Sequence, residues 1–462
     1  MRVPEHIFRE YDIRGLVGDE VTVDLTRAIG RAMATFVARE RGVDAPAIAL
    51  GRDVRPSSDE LHDALVEGLV SCGARVKDIG VVPTPVLYYA CKRLDTEAGI
   101  MLTASHNPPE YNGFKLNWKD VPLSGEEIQR VKDLIVADDY REATGDHEET
   151  PLTDDYCDMI ASKVEIEGEI TAVVDPANAT GALFTCDLLE RIGVTVERLN
   201  CEVDGTFPSH HPDPTVDRYV TQLIERVIET GAELGIGLDG DCDRIGAVDH
   251  TGRLVRGDQL TAIFARDQLE RTPGETILFD VKSSRALTED IVEHGGEPLM
   301  WKTGHSLAKK KMIEEDLVFG GEMSGHLFFF HDYWGFDDAI FAAARLCEIV
   351  SKSDASLAEM VNSLGQYPST PEIRIETTEE KKWEVVEDAA DYFGDRYDTV
   401  SIDGVRITFP AGWALLRTSN TQPVVVARAE AESEAELDGI VAALETFLAR
   451  HGIEDVDWEG GG

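Results

Sequence analysis

The stretch with the clearest chemical potential is Thr103-Ala104-Ser105-His106-Asn107-Pro108-Pro109-Glu110-Tyr111-Asn112-Gly113-Phe114-Lys115. Its adjacent prolines bar a helix, because each lacks an N–H and restricts the residue before it. Gly99-Ile100-Met101-Leu102 reads as the end of a short buried strand. Ser105 is therefore expected on a stiff loop at a strand's carboxyl end, with His106 beside it and Lys115 further on. A hydroxyl held that way can accept a phosphoryl group and return it. A serine before Asn-Pro also caps turns, and the choice between the two readings depends on other loops.

A second loop, Asp239-Gly240-Asp241-Cys242-Asp243-Arg244, follows the apolar run Leu234 to Leu238. Carboxylates at alternate positions after a strand can converge on one hard cation and leave sites for phosphate oxygens. An EF-hand is excluded, since its sixth and twelfth positions want Gly and Glu and here hold Arg244 and His250. Mg²⁺ is the ion expected where a phosphate shares it; a solvated acidic turn is the plainer alternative. A third loop, Gly320-Gly321-Glu322-Met323-Ser324-Gly325-His326, sets a carboxylate and a hydroxyl between glycines, a grip for vicinal sugar hydroxyls or an ordinary turn. The fourth, Arg417-Thr418-Ser419-Asn420-Thr421-Gln422-Pro423, joins a guanidinium to hydroxyls and amides, the makings of a phosphate cradle or a polar surface turn.

Positioning these loops falls to a recurring pattern: a short apolar run, a polar loop with Gly or Pro, then helical periodicity. It recurs at 47–53, 100–105, 170–178, 234–239, 276–282 and 317–322. Strands alternating with helices argue for α/β layers with mixed or parallel sheets, whose ligands bind beyond the strands' carboxyl ends. Composition breaks suggest four domains: three α/β domains over 1–150, 151–253 and 254–364, then a smaller α+β domain over 365–462. The first break rests on the acidic, turn-rich 138–155 and the second on the tight turn Asp249-His250-Thr251-Gly252-Arg253. Lys309-Lys310-Lys311 reads as one solvated helix face.

The 462 residues carry 88 acidic against 44 basic side chains, a net charge of −44. Such a surface repels nucleic acid and anionic membranes, so neither is expected as a partner. The charges are spread through apolar-periodic segments, which argues against disorder. A salt-rich cytoplasm would screen them, the Debye length being about 3 Å near 1 M. Seven cysteines without a C-x-x-C pair fit reduced thiols in that compartment. The N-terminus lacks the apolar core of a signal peptide, and no apolar run is long enough to span a bilayer.

Taken together the four loops closely resemble those of the α-D-phosphohexomutase family, of the phosphomannomutase/phosphoglucomutase type. Phe8-Arg9-Glu10-Tyr11-Asp12-Ile13-Arg14-Gly15 and Lys302-Thr303-Gly304-His305-Ser306 add to the match, which runs in order along nearly the whole chain. Cys242 departs from the family, which usually has Gly there; Met323 looks like the glucose and mannose phosphate enzymes rather than phosphoglucosamine mutase.

The resemblance implies four domains around a central cleft, with the last swinging to close it. It implies that Ser105 carries the phosphoryl group and that Asp239, Asp241 and Asp243, with the phosphoserine oxygen, hold one Mg²⁺. Arg14, Arg244, His106 and Lys115 would surround the reacting oxygens. Lys115 is the first choice for general acid/base, its pKa lowered by burial beside other cations, with His106 or His326 competing. Glu322, Ser324, His326, His305 and Lys282 would line the sugar site, and Arg417, Ser419, Asn420 and Thr421 would clamp the distal phosphate. A hexose phosphate would pass through a bound hexose 1,6-bisphosphate, which also serves as activator, on a monomer or homodimer. Phosphoglucosamine mutase is the alternative reading, and a phosphatase and a silent sugar-phosphate-binding relative are the further rivals.

Overall fold

The computed structural model describes residues 2–119, 121–419 and 423–459. Four sheets follow one another along the chain. In the first, Ala47–Arg52 runs parallel to Arg75–Val81 and to Ala98–Leu102, while Ile13–Leu16 and Tyr111–Trp118 pair antiparallel at one side. The second centres on Thr171–Asp175 and Leu234–Leu238, parallel neighbours, with Ile245–Asp249 returning antiparallel. The third sets Thr276–Asp280 parallel to Glu297–Trp301 and Phe319–Gly321. The fourth is wholly antiparallel, built from Ile373–Glu376, Asp398–Val400, Val405–Phe409, Gly412–Thr418 and Val424–Ala431, and is backed by helices Glu379–Gly394 and Glu434–Ala449.

Ala98–Leu102 and Leu234–Leu238 are buried along their whole length, as strands covered on both faces should be. Each ends at a polar loop, so the Ser105 and Asp239 loops leave their sheets at carboxyl ends. One continuous apolar cluster runs through the first three domains and includes Tyr88, Tyr156, Phe264, Tyr333 and Phe341. The fourth domain has a separate core around Phe393, Leu416 and Phe447. Its apolar joint to the third is small: Val281, Trp413 and Leu415, with Met300 and Ile402 against them.

Three local readings change. The acidic stretch 138–155 contains an exposed edge strand, Asp146–Glu149, parallel to Arg75–Val81. Acidic residues are poor strand formers, but Lys77 Nζ meets Glu148 Oε2 at 2.5 Å and His147 Nε2 lies 3.0 Å from Asp78 Oδ2. The 249–253 turn is a hairpin inside the second sheet, whose pairing continues through Leu254–Val255. The triple lysine is not one solvated face. Lys309 is buried, 2.5 Å from Asp337 Oδ1; Lys310 reaches Ser124 Oγ at 2.7 Å, across to the first domain; Lys311 pairs with Glu315.

Candidate active site

The Ser105 and Asp239 loops meet. Ser105 Oγ donates to Asp239 Oδ2 at 2.9 Å and lies 3.1 Å from His106 Nδ1. Ser105 adopts φ +51°, a left-handed conformation that costs a non-glycine residue about 1–2 kcal/mol. The fold around it holds that conformation. Its amide donates to Thr103 Oγ1 at 2.9 Å, and its carbonyl accepts from Arg55 Nη2 at 2.8 Å. Arg55 spends all five N–H hydrogens, on Asp53 Oδ2 and on the carbonyls of Ser105, Asn107, Pro108 and Tyr111. Gly240 permits the close approach, because a Cβ there would sit 2.2 Å from the Ser105 carbonyl oxygen.

Asp239, Asp241 and Asp243 are almost wholly buried, with one oxygen from each within 4.8 Å of the others. The amides of Asp243 and Arg244 take Asp239 Oδ1, which turns Oδ2 toward Ser105. Burial, with Asp243 and Asp241 beside it, pushes the Asp239 carboxyl well up, so the cluster calls for more positive charge. Asp241 Oδ1 and Asp243 Oδ1 are buried without hydrogen-bond partners among the described residues. Orphaned carboxylate oxygens converging beside a serine hydroxyl fit a hard divalent cation. Cys242 takes φ +61°, which is the reason glycine suits that position.

Lys115 differs from expectation. Its Nζ lies between Asp241 Oδ2 and Asp243 Oδ2, 2.5 Å from each. Burial favours the neutral amine, but the two carboxylates outweigh it and raise the pKa. These carboxylates favour the ammonium form, opposite to the direction expected from neighbouring cations. The His106 imidazole is pushed well down, by burial first and then by Arg244 and Arg14. Arg14 donates to Asp12 Oδ2 at 2.7 Å and reaches into the serine loop at Asn107 Oδ1, 2.9 Å. Arg244 Nε donates to His326 Nε2 at 3.0 Å, so that nitrogen is an acceptor; His326 Nδ1 lies 2.9 Å from Asp337 Oδ2.

The remaining loops connect through His326, which stacks on His305 at 5.2 Å. The Gly304 amide donates to Glu322 Oε1 at 2.7 Å, and Ser324 Oγ to Glu322 Oε2 at 3.0 Å. Burial raises the Glu322 carboxyl. Lys282 pairs with Glu372 of the fourth domain at 3.1 Å. Arg417 Nε donates to Asp403 Oδ2 at 3.0 Å, and the Ser419 carbonyl accepts from Lys382 Nζ at 2.7 Å. Asn420 and Thr421 lie outside the described residues. Asp403 Oδ2 also accepts from the Thr303 amide, beside Gly304, so a chain of contacts joins all four loops.

Arg55, Asp337 and Asp403 were not singled out from the sequence. Arg55 carried a signal: Asp53-Val54-Arg55 repeats the Asp-x-Arg spacing of Asp12-Ile13-Arg14, and in both the carboxylate fixes the guanidinium. Asp337 and Asp403 gave none, since their partners come from distant segments.

Models of phosphoglucomutase/phosphomannomutase α/β/α domains I, II and III match residues 5–142, 154–252 and 256–367, and that of the C-terminal domain matches 372–446. The chain is 44% identical to a phosphomannomutase/phosphoglucomutase of Pseudomonas aeruginosa PAO1 over 439 residues, 95% of this chain and 94% of that one. It is 41% identical to a phosphoglucomutase of Neisseria gonorrhoeae over 443 residues, 95% of each. The crystal structure of a phosphoglucomutase/phosphomannomutase family protein from Burkholderia thailandensis superposes with a TM-score of 0.91 at 37% identity, covering 98% of both chains.

Proposed function

We infer the reaction from one premise: this chain belongs to the phosphoglucomutase/phosphomannomutase family. It is a phosphohexomutase that interconverts the 1- and 6-phosphates of glucose and mannose. The observation that carries this reading is the 2.9 Å contact between Ser105 Oγ and Asp239 Oδ2, which sets a hydroxyl nucleophile against a carboxylate cluster suited to a cation.

In the resting enzyme Ser105 carries the phosphoryl group. A sugar hydroxyl attacks the phosphorus and gives up its proton, the bond to Ser105 Oγ breaks and that oxygen takes the proton up, and a hexose 1,6-bisphosphate is left in the cleft. The sugar reorients, Ser105 Oγ attacks its other phosphate, and the isomeric monophosphate leaves. Asp239, Asp241 and Asp243 would hold Mg²⁺, which would supply positive charge to offset that on the transferring phosphoryl group. Around it Arg14, Arg244 and the Lys115 ammonium stabilise charge, and transfer depends on their placement. His106, with Nδ1 3.1 Å from Ser105 Oγ, is the group placed to relay a proton between that oxygen and the sugar. Glu322 and Ser324 hold the sugar's 3- and 4-hydroxyls, with His326, His305 and Lys282 lining the same wall. C2 is then read loosely, so glucose and mannose phosphates are both accepted. Arg417 and Ser419 hold the phosphate distal to the reaction. The fourth domain, with its own core and narrow apolar joint, closes over the sugar and excludes water.

The acidic surface supports a salt-rich cytoplasm as the enzyme's setting, and no helix among the described residues is long and apolar enough to cross a membrane. The test is a coupled assay with glucose 1-phosphate and with mannose 1-phosphate, primed by catalytic sugar 1,6-bisphosphate. Formation of both 6-phosphates with little free phosphate supports the reading; stoichiometric phosphate release would make the protein a phosphatase.

A further inference from the structure

We propose that Asp403 is a positioning residue, fixing the Arg417 guanidinium and tying it to the third domain before phosphate binds. This rests on the reading of Arg417 as a phosphate clamp. Asp403 Oδ2 accepts from Arg417 Nε at 3.0 Å and Oδ1 from Arg417 Nη2 at 3.4 Å, so the plane of the guanidinium is set by two contacts. The same Oδ2 accepts from the backbone amide of Thr303 at 3.0 Å, a residue of the third domain. One carboxylate therefore joins the phosphate grip to the loop that precedes His305.

That loop is itself braced on both sides. The Thr303 carbonyl accepts from Tyr11 Oη of the first domain at 3.2 Å, and Thr303 Oγ1 donates to Asp280 Oδ2 at 3.1 Å. The neighbouring Gly304 amide holds Glu322. Arg417 is thereby aimed with reference to the sugar loop and the first domain rather than to its own sheet alone. The turn bearing Asp403 is pressed onto its target: Gly404 has φ +76°, and a Cβ there would lie 2.5 Å from Arg417 Cβ and 2.4 Å from the Leu416 carbonyl oxygen. Ile402 anchors the other side of the turn against Val281, Trp413 and Leu415. A long flexible arginine loses rotamer freedom when it captures an anion. Asp403 removes that freedom beforehand, and its link to Thr303 makes a correctly aimed Arg417 coincide with a docked fourth domain.

Asp403→Asn keeps an oxygen for the Thr303 amide but presents an NH₂ group to a guanidinium. The expected result is a rise of about tenfold in KM for hexose 1-phosphate. The yield of phosphoserine formed from sugar bisphosphate at saturation and the melting temperature should stay near wild type. Arg417→Ala should raise KM at least as far, and adding Asp403→Asn to it should change KM no further. If Asp403→Asn is poorly folded, Asp403→Glu, which keeps the charge but displaces it, should give the same KM effect with wild-type melting. A KM within twofold of wild type for the Asp403 variants, alongside a raised KM for Arg417→Ala, would overturn this inference alone. So would additive effects in the double variant. An unchanged KM for Arg417→Ala would instead remove the phosphate-clamp reading, and this inference with it.

Discussion

Replacing Gly240 with alanine acts on the closest backbone approach between the serine and acid loops. A Cβ at 240 would lie 2.2 Å from the Ser105 carbonyl oxygen and 3.0 Å from its carbonyl carbon, with Pro212 Cγ at 3.5 Å. Both near atoms are backbone, so no side chain can swing aside to relieve the clash. Recovering a tolerable contact requires the two loops to part by about 1 Å, since non-bonded carbons settle at about 3.5–4.0 Å. That displacement acts directly on the 2.9 Å contact between Ser105 Oγ and Asp239 Oδ2. A misplacement of about 1 Å can cost about 10²-fold in rate, equivalent to about 2.7 kcal/mol of barrier. Gly240→Ala should thus lower kcat about a hundredfold in the coupled mutase assay. KM should move little, because Arg417 and Glu322 lie outside the loop. A kcat within threefold of wild type would show that the loops need not approach this closely.

Arg55→Met leaves Asp53 buried without its cation and four loop carbonyls without their donor, and should cost about 3–5 kcal/mol of stability, read by denaturant unfolding. The Lys282 ammonium, outweighing the opposing effect of burial, holds the Glu372 carboxyl at about 2, against an ordinary 4.5. Because the folded pKa lies below the unfolded one, the stability from this pair is complete above about pH 4.5 and is lost as the pH falls toward 2. Glu372→Gln should abolish that part of the acid dependence in melting curves taken across the window. With a net charge of −44, the melting temperature should rise as KCl increases from about 0.1 to about 1 M, where screening becomes dense. Full stability in dilute buffer would contradict the salt-adapted reading.

Much of the architecture was legible because strands and loops announce themselves locally. Ala98–Leu102 and Leu234–Leu238 are unbroken apolar runs ending in Pro- or Gly-marked loops, a pattern few other structures satisfy. The edge strand Asp146–Glu149 is not legible in the sequence: its composition opposes a strand, and backbone pairing with Arg75–Val81, with side-chain contacts from Lys77 to Glu148 and between His147 and Asp78, recruits it. Lys309 looked like surface because a lysine run usually is, whereas the Asp337 carboxylate that buries it arrives from the far side of a hairpin. The direction of the Lys115 shift is hidden from the sequence for a related reason. Sequence spacing indicated cations nearby but not that the acid loop's own carboxylates would enclose the amine. What spacing cannot give is which loops face one another, and in this site those pairings decide the chemistry.

The central claim is that Ser105 Oγ itself carries the phosphoryl group beside the three carboxylates. The most direct measurement is peptide mapping by mass spectrometry after incubation with glucose 1,6-bisphosphate and Mg²⁺, followed by a chase with mannose 1-phosphate. The account predicts one phosphorylated peptide, modified at Ser105, that loses its label during the chase as sugar bisphosphate appears, and none in Ser105→Ala. Label at another residue, or sustained mutase turnover by Ser105→Ala, would contradict it.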